Sequence, residues 1–125
     1  MRRFAKIVST TSLIAIAITG LSLTTSTYAA GHEKKSNVEQ GKEIAFSRKK
    51  GNCLACHSIK GGQLPGNIAP PLVAMKQRFP DKAVLRAQIY DATVKNPNSI
   101  MPPFGSHKIL SDKEIDLVTD FISQL

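Results

Sequence analysis

Only two cysteines occur among the 125 residues. They stand three positions apart in Cys53-Leu54-Ala55-Cys56, with His57 directly after the second. No other feature limits so sharply what this chain can fold into, because each chemistry of a Cys-x-x-Cys pair imposes its own surroundings. A redox-active disulfide of the thioredoxin type wants a strand before it and a βαβ unit around it, and the sequence offers neither. A structural zinc needs four ligands. His57 is too close to Cys56 for the usual spacing, and His32 falls in a polar amino-terminal stretch. A plain disulfide across two residues closes so small a loop that it stabilises little through chain entropy. Covalent haem attachment remains, and it accounts for the histidine as well. Residues three apart on a helical turn share a face, so both thiols can meet one edge of a porphyrin while the next side chain ligates iron.

The amino terminus supplies the compartment such chemistry needs. Arg2, Arg3 and Lys6 precede an apolar stretch densest from Leu13 to Ile18, and "TSTYAA" offers small residues for signal peptidase. Cleavage is expected after Ala29, so residues 1–29 read as a secretory signal. The apolar core is much shorter than the roughly 20 residues of a membrane span. Arg2-Arg3 matches a twin-arginine signal poorly, which leaves general secretion to the periplasm. About 96 residues then remain, one small domain that benefits from an outside staple. The 17 basic and 9 acidic residues leave the mature chain moderately basic. Nucleic-acid binding is excluded by the compartment and by the lack of aromatics among the lysines. Docking to an acidic protein face, or guidance of a small anion, fits the charge.

Residues 30–36 read as a flexible tail and 37–125 as the domain. Three segments predict helices. In the first, Asn37 caps with Gln40 at the matching third position, leading into Val38, Ile44, Ala45 and Phe46. A second follows Pro80-Asp81, with Val84, Leu85, Gln88 and Ile89 at helical spacing. The third opens on a capping box, Ser111 with Glu114. Ile115, Val118, Ile122 and Leu125 then recur at helical spacing, widened by Leu117 and Phe121. "KGGQLPGNIAPPL" and "KNPNSIMPPFG" are long irregular connections, and no strand pattern appears. Three helices and two such loops enclose too little apolar area alone, so they should wrap a large apolar object.

His57 as an iron ligand must be neutral, its other ring nitrogen donating to a fixed acceptor. A carbonyl in "APPL", that of Pro70, is the candidate. For the opposite face of the iron the candidates are Met101, His107, Met75 and His32, or an open position. Met101 ranks first because it sits in an irregular loop stiffened by Pro102-Pro103, and His107 ranks second. Met75 reads as a packing residue. Histidine and methionine together favour reduced iron and suit electron transfer.

Across the domain the sequence resembles class I cytochromes c. It has an amino-terminal helix with Gly41 and Phe46, then Cys-x-x-Cys-His, a proline-containing loop, a methionine and a final amphipathic helix. "GNCLACH", "PGNIAPPL", "NPNSIMPPFG" and "ILSDKEIDLVTDFI", in this order, resemble more narrowly the SoxX family, the monohaem subunit of the SoxAX complex of bacterial sulfur oxidation. Ala69 stands where a glycine often precedes the proline pair. The resemblance implies an all-α fold of three to five helices around one covalently bound haem c, with Gly41 crossing against Phe121. It implies Cys53 and Cys56 as thioether attachments, His57 as proximal ligand and Met101 as distal ligand.

For function the resemblance implies an electron-transfer subunit of an L-cysteine S-thiosulfotransferase complex. It would pair as a heterodimer with a SoxA-like cytochrome and take electrons while thiosulfate is joined to a cysteine of a SoxYZ-like carrier. A downstream cytochrome or other acceptor receives them. With both cysteines spent on haem there is no free thiol, and no Ser/His/Asp set offers a catalytic nucleophile. Arg48, Lys49, Lys50 and Lys60 are candidate docking residues. Membrane contact is expected only through the signal before cleavage. The alternatives are a freestanding cytochrome c shuttle in respiration and a haem catalyst with an open iron.

Overall fold

A reciprocal pair of hydrogen bonds starts the first helix. In the computed structural model, which describes residues 34–125, the Ser36 hydroxyl accepts from the Glu39 amide at 3.2 Å. The Glu39 carboxylate accepts from the Ser36 amide at 2.9 Å. Helix α1 then runs Asn37–Phe46. The expected cap at Asn37 is therefore corrected by one position: Asn37 is the first helical residue, and its side-chain amide donates to Asp120 at 3.4 Å instead. A carboxylate is a stronger partner for an amide N–H than the neutral Gln40 side chain, and an acid is favoured at the positive end of a helix. The expected signal, residues 1–29, the first residues of the 30–36 tail and His32 lie outside the described residues.

The other helices follow by the same logic. Met75–Arg78 is a single turn, α2, entered through Ala74 in the left-handed region at φ +51°. Asp81 caps α3, Lys82–Tyr90, its carboxylate accepting from the Ala83 amide at 2.8 Å. Leu85 and Ile89 of α3 are buried, whereas Val84 faces outward. Ser111 and Glu114 form the expected capping box of α4, Asp112–Ile122. Leu125 lies beyond the end of α4 rather than on its stripe, yet it still packs on the core. Short 3-10 turns occupy Cys53–Ala55 and Ala92–Val94, and the described residues contain no strand and no helix long and apolar enough to cross a membrane.

Helix α1 packs chiefly on α4, and α3 packs on α4 from another side. At the first crossing a β-carbon on Gly41 would stand 1.9 Å from the Leu117 carbonyl oxygen and 3.0 Å from Cβ of Phe121. Only glycine lets the two backbones approach this closely. Beside it the Phe46 and Phe121 rings meet edge to face, 5.7 Å between centroids, an arrangement aromatic quadrupoles favour. Ile115 and Val118 are fully enclosed, and buried Thr119 satisfies its hydroxyl on the Ile115 carbonyl at 2.7 Å. Arg86 of α3 bridges Asp112 and Asp116 of α4, and Lys82 pairs with Asp120. Exposed pairs of this kind are worth about 0–1 kcal/mol each, so they set the register of α3 on α4 more than they stabilise it.

Candidate functional site

The irregular chain between these helices surrounds a cleft of about 710 Å³. Cys53, Cys56, His57, Pro70 and Met101 all line it, brought together from three separate stretches of sequence. Its floor is apolar, with Leu85 and Ile89 from α3 and Val118 and Ile122 from α4. Ile68 and Ile100 line it too while staying 67% and 74% exposed, which places them at its mouth.

The cysteines reach the cleft from a turn whose shape the backbone dictates. Gly51 N–H donates to the Ile44 carbonyl at 3.1 Å and Asn52 N–H to Ser47 at 3.0 Å, tying the turn to the end of α1. Asn52 adopts φ +46°, a left-handed conformation that asparagine tolerates better than most residues. The 3-10 turn Cys53–Ala55 follows, and in such a turn side chains three apart eclipse one another. Cys53 opens this turn and Cys56 directly follows it, and both line the cleft. Neither is in a disulfide, and burial pushes the Cys53 thiol up to about 11. A thiol held protonated is a poor attacking group, the reverse of what a redox dithiol requires.

His57 is positioned through its ring. Nδ1 lies 2.7 Å from the Pro70 carbonyl oxygen. A carbonyl can only accept, so Nδ1 carries a proton, and Nε2 is the ring nitrogen left to bind a metal when the imidazole is neutral. That carbonyl is held in turn by bonds on either side. Ala69 N–H donates to Cys56 at 3.0 Å and Leu72 N–H to Ser58 at 2.9 Å. Ala69 needs no left-handed geometry to do this. Arg78, which the sequence pattern did not single out, adds a bond from its guanidinium to the Pro71 carbonyl at 3.0 Å. Its place three residues after Met75, one helical turn on, is the only local signal for it.

Two methionines line the cleft and differ in surroundings. Met75 is buried at the start of α2, and its sulfur lies 3.4 Å from the Arg78 guanidinium. Met101 is half-buried in the loop before Pro102, its amide donating to the Ser99 hydroxyl at 3.2 Å. His107 is exposed and does not line the cleft. Among the described residues no group of three or more His, Cys, Asp or Glu side chains could hold a metal ion. The nearby basic residues are not equivalent either. Lys50 Nζ is 2.5 Å from Glu114, whereas Arg48, Lys49 and Lys60 take part in no ion pair among the described residues.

The donor set suits a haem. The cleft volume is in the upper part of the roughly 300–1,000 Å³ range of ligand sites, its floor is apolar, and two cysteines on its wall immediately precede an imidazole whose Nδ1 is already bonded. A family model described as "Cytochrome C oxidase, cbb3-type, subunit III" matches residues 36–122. No curated protein matches the sequence. Among solved structures the chain is similar to one described as the crystal structure of SoxXA from P. pantotrophus. That match has 28% identity over 73% of this chain and 82% of that chain, with a TM-score of 0.63. With most of its described length matched and its cysteine pair facing an apolar cleft, the chain belongs to the cbb3-type subunit III family of cytochrome c domains and is a SoxX-like electron-transfer cytochrome with a covalently bound haem c.

Proposed function

We propose that this cytochrome is the monohaem subunit of a periplasmic SoxAX-type complex. In this reading it takes electrons from a SoxA-like partner while that partner joins thiosulfate oxidatively to a cysteine of a SoxYZ-like carrier. The likeness to SoxXA carries the reading, because it extends over most of that chain rather than over the haem motif alone. Cys53 and Cys56 would anchor the haem through thioether bonds, His57 would ligate from one side with Pro70 orienting it, and Met101 would ligate from the other. Bound there, the haem supplies one-electron iron chemistry at a potential raised by a thioether ligand. The residues of this chain hold, orient and desolvate that group. Arg48, Lys49 and Lys60 are the cations left to meet an acidic partner, since Lys50 is engaged with Glu114. A second reading is a freestanding cytochrome c shuttle in respiration, which a cytochrome c domain alone would also serve.

Co-purification separates the two. With a SoxA-like protein the holoprotein should elute as a stable heterodimer, and a persistent monomer would favour the shuttle. Met101→Ala should abolish the near-infrared methionine-to-iron band of the ferric protein. An unchanged band would remove Met101 from the ligand set, and a high-spin resting state in the parent would instead support catalysis at an open iron.

A further inference from the structure

Asp91 stands where α3 ends and the Met101 segment begins, and its side chain is bonded to both ends of that segment. Oδ1 accepts from the Thr93 amide at 3.0 Å and from the Thr93 hydroxyl at 2.5 Å. Oδ2 accepts from the Ser106 hydroxyl at 2.5 Å. Close by, Gly105 N–H donates to the Tyr90 carbonyl at 2.9 Å. The Tyr90 ring lies so near that a β-carbon on Gly105 would stand 2.1 Å from it. The far foot of the loop is thus seated on the end of α3 by its main chain, and one carboxylate joins it to the near foot.

Inside the loop the bonds are local. Asn96 N–H donates to Ala92 at 3.1 Å, Ser99 N–H to Asn96 at 2.9 Å and Met101 N–H to the Ser99 hydroxyl. Pro102 and Pro103 bring no amide donors, so the order of the tip depends on its feet. A capping role alone would account for the Thr93 contacts, since Asp91 is also the N-cap of the Ala92–Val94 turn. It leaves the Ser106 contact unexplained, because that bond spans a loop of about 14 residues whose closure otherwise costs entropy.

We propose that Asp91 is a positioning residue for Met101, its carboxylate clasping the two feet of the loop so that the thioether is held in the cleft. The inference rests on Met101 being the distal ligand. Loosening the clasp should make the thioether easier to displace.

The test is imidazole titration of the ferric holoprotein, followed in every variant by the shift of the Soret band, with loss of the near-infrared band as a second readout where Met101 is present. Ser106→Ala removes only the bond across the loop, at an exposed position. It and Asp91→Asn should each raise the apparent imidazole affinity by about tenfold, the scale of one charge-assisted hydrogen bond. Ser106→Thr keeps a hydroxyl and should return the affinity to near the parent's. Ser36→Ala, which weakens the distant α1 cap, should leave it unchanged, so general destabilisation is told apart from positioning. Parental affinity in Ser106→Ala overturns the clasp even if Asp91→Asn yields no holoprotein. Met101→Ala divides the two ideas. If its affinity rises while Ser106→Ala stays parental, the clasp alone fails. If Met101→Ala itself stays parental, the ligand reading fails and takes the clasp with it.

Discussion

Pro70 and Pro71 have no amide N–H to satisfy and a fixed φ, so the Pro70 carbonyl can serve His57 without belonging to a helix or a sheet. Such a role is legible in "APPL" once a histidine needs an acceptor, and the carbonyl at 2.7 Å is that of Pro70. Less legible was the choice between adjacent caps. Ser36 with Glu39 and Asn37 with Gln40 fit the same spacing rule, and only the stronger bond to a carboxylate separates them. Glu114 makes an analogous bond and adds an ion pair. The Lys50 ammonium first, and then the Ser111 amide and hydroxyl, pull its carboxyl down to about 2 from an ordinary 4.5. A folded value below the unfolded one means that the stabilisation is fully present above about pH 4.5 and is lost as pH falls through about 2. The thermal midpoint of the parent should therefore fall more steeply over this window than that of Glu114→Gln, the two curves converging at its acid end. Parallel curves, measured by circular dichroism, would mean that Glu114 is no better held in the fold than in the unfolded chain.

Helices were the most legible elements, because their apolar residues recur with the right period. The final helix was readable almost residue by residue, from its capping box to Ile122. The turn at Met75–Arg78 was legible only as a helical turn at Met75 without bounds, since a single turn has no period to detect and is set by tertiary packing. Close approach is likewise invisible in a pattern of apolar residues. Gly41 had a meaning only through resemblance, and the contact is broader than expected, since the Leu117 carbonyl stands nearer than Phe121. Gly41→Ala sets two effects against each other. Alanine gains about 1 kcal/mol of helix propensity, but its methyl would meet backbone at 1.9 Å, and backbone in a helix cannot turn aside as a side chain can. Forced repacking of this kind costs roughly 1–3 kcal/mol or more, so sterics should win. The expected outcome is a thermal midpoint lowered by several degrees, on the scale of about 4–8 °C per kcal/mol for a domain this size. A raised midpoint would show that α1 and α4 can separate without penalty.

On the scale of the molecule, the helices and the cleft pose one question: what fills the space that α2, α3 and α4 leave between themselves and the two long loops. The sequence implied a missing apolar object from loop length and small size, and the cleft of about 710 Å³ gives that object a place. The haem-site reading of Cys53, Cys56, His57, Pro70 and Met101 requires residues far apart in sequence to meet, and all five line the walls of this cleft. Leaving such a cleft empty wets apolar wall that the haem would cover, at about 25 cal/mol per Å², against a whole-domain stability of only about 5–15 kcal/mol. Leu85, Ile89, Val118 and Ile122 border it and are also part of the α3 and α4 packing. The polypeptide without haem should therefore give up its tertiary packing rather than keep an open cleft. Cys53→Ala/Cys56→Ala, produced alongside the haem-attachment machinery, should carry no covalent haem on a denaturing gel, lose helical circular dichroism, and melt without a cooperative transition. Retention of a cooperative transition near that of the holoprotein would mean that α1, α3 and α4 enclose a sufficient core on their own, and that the haem is seated in a fold already made.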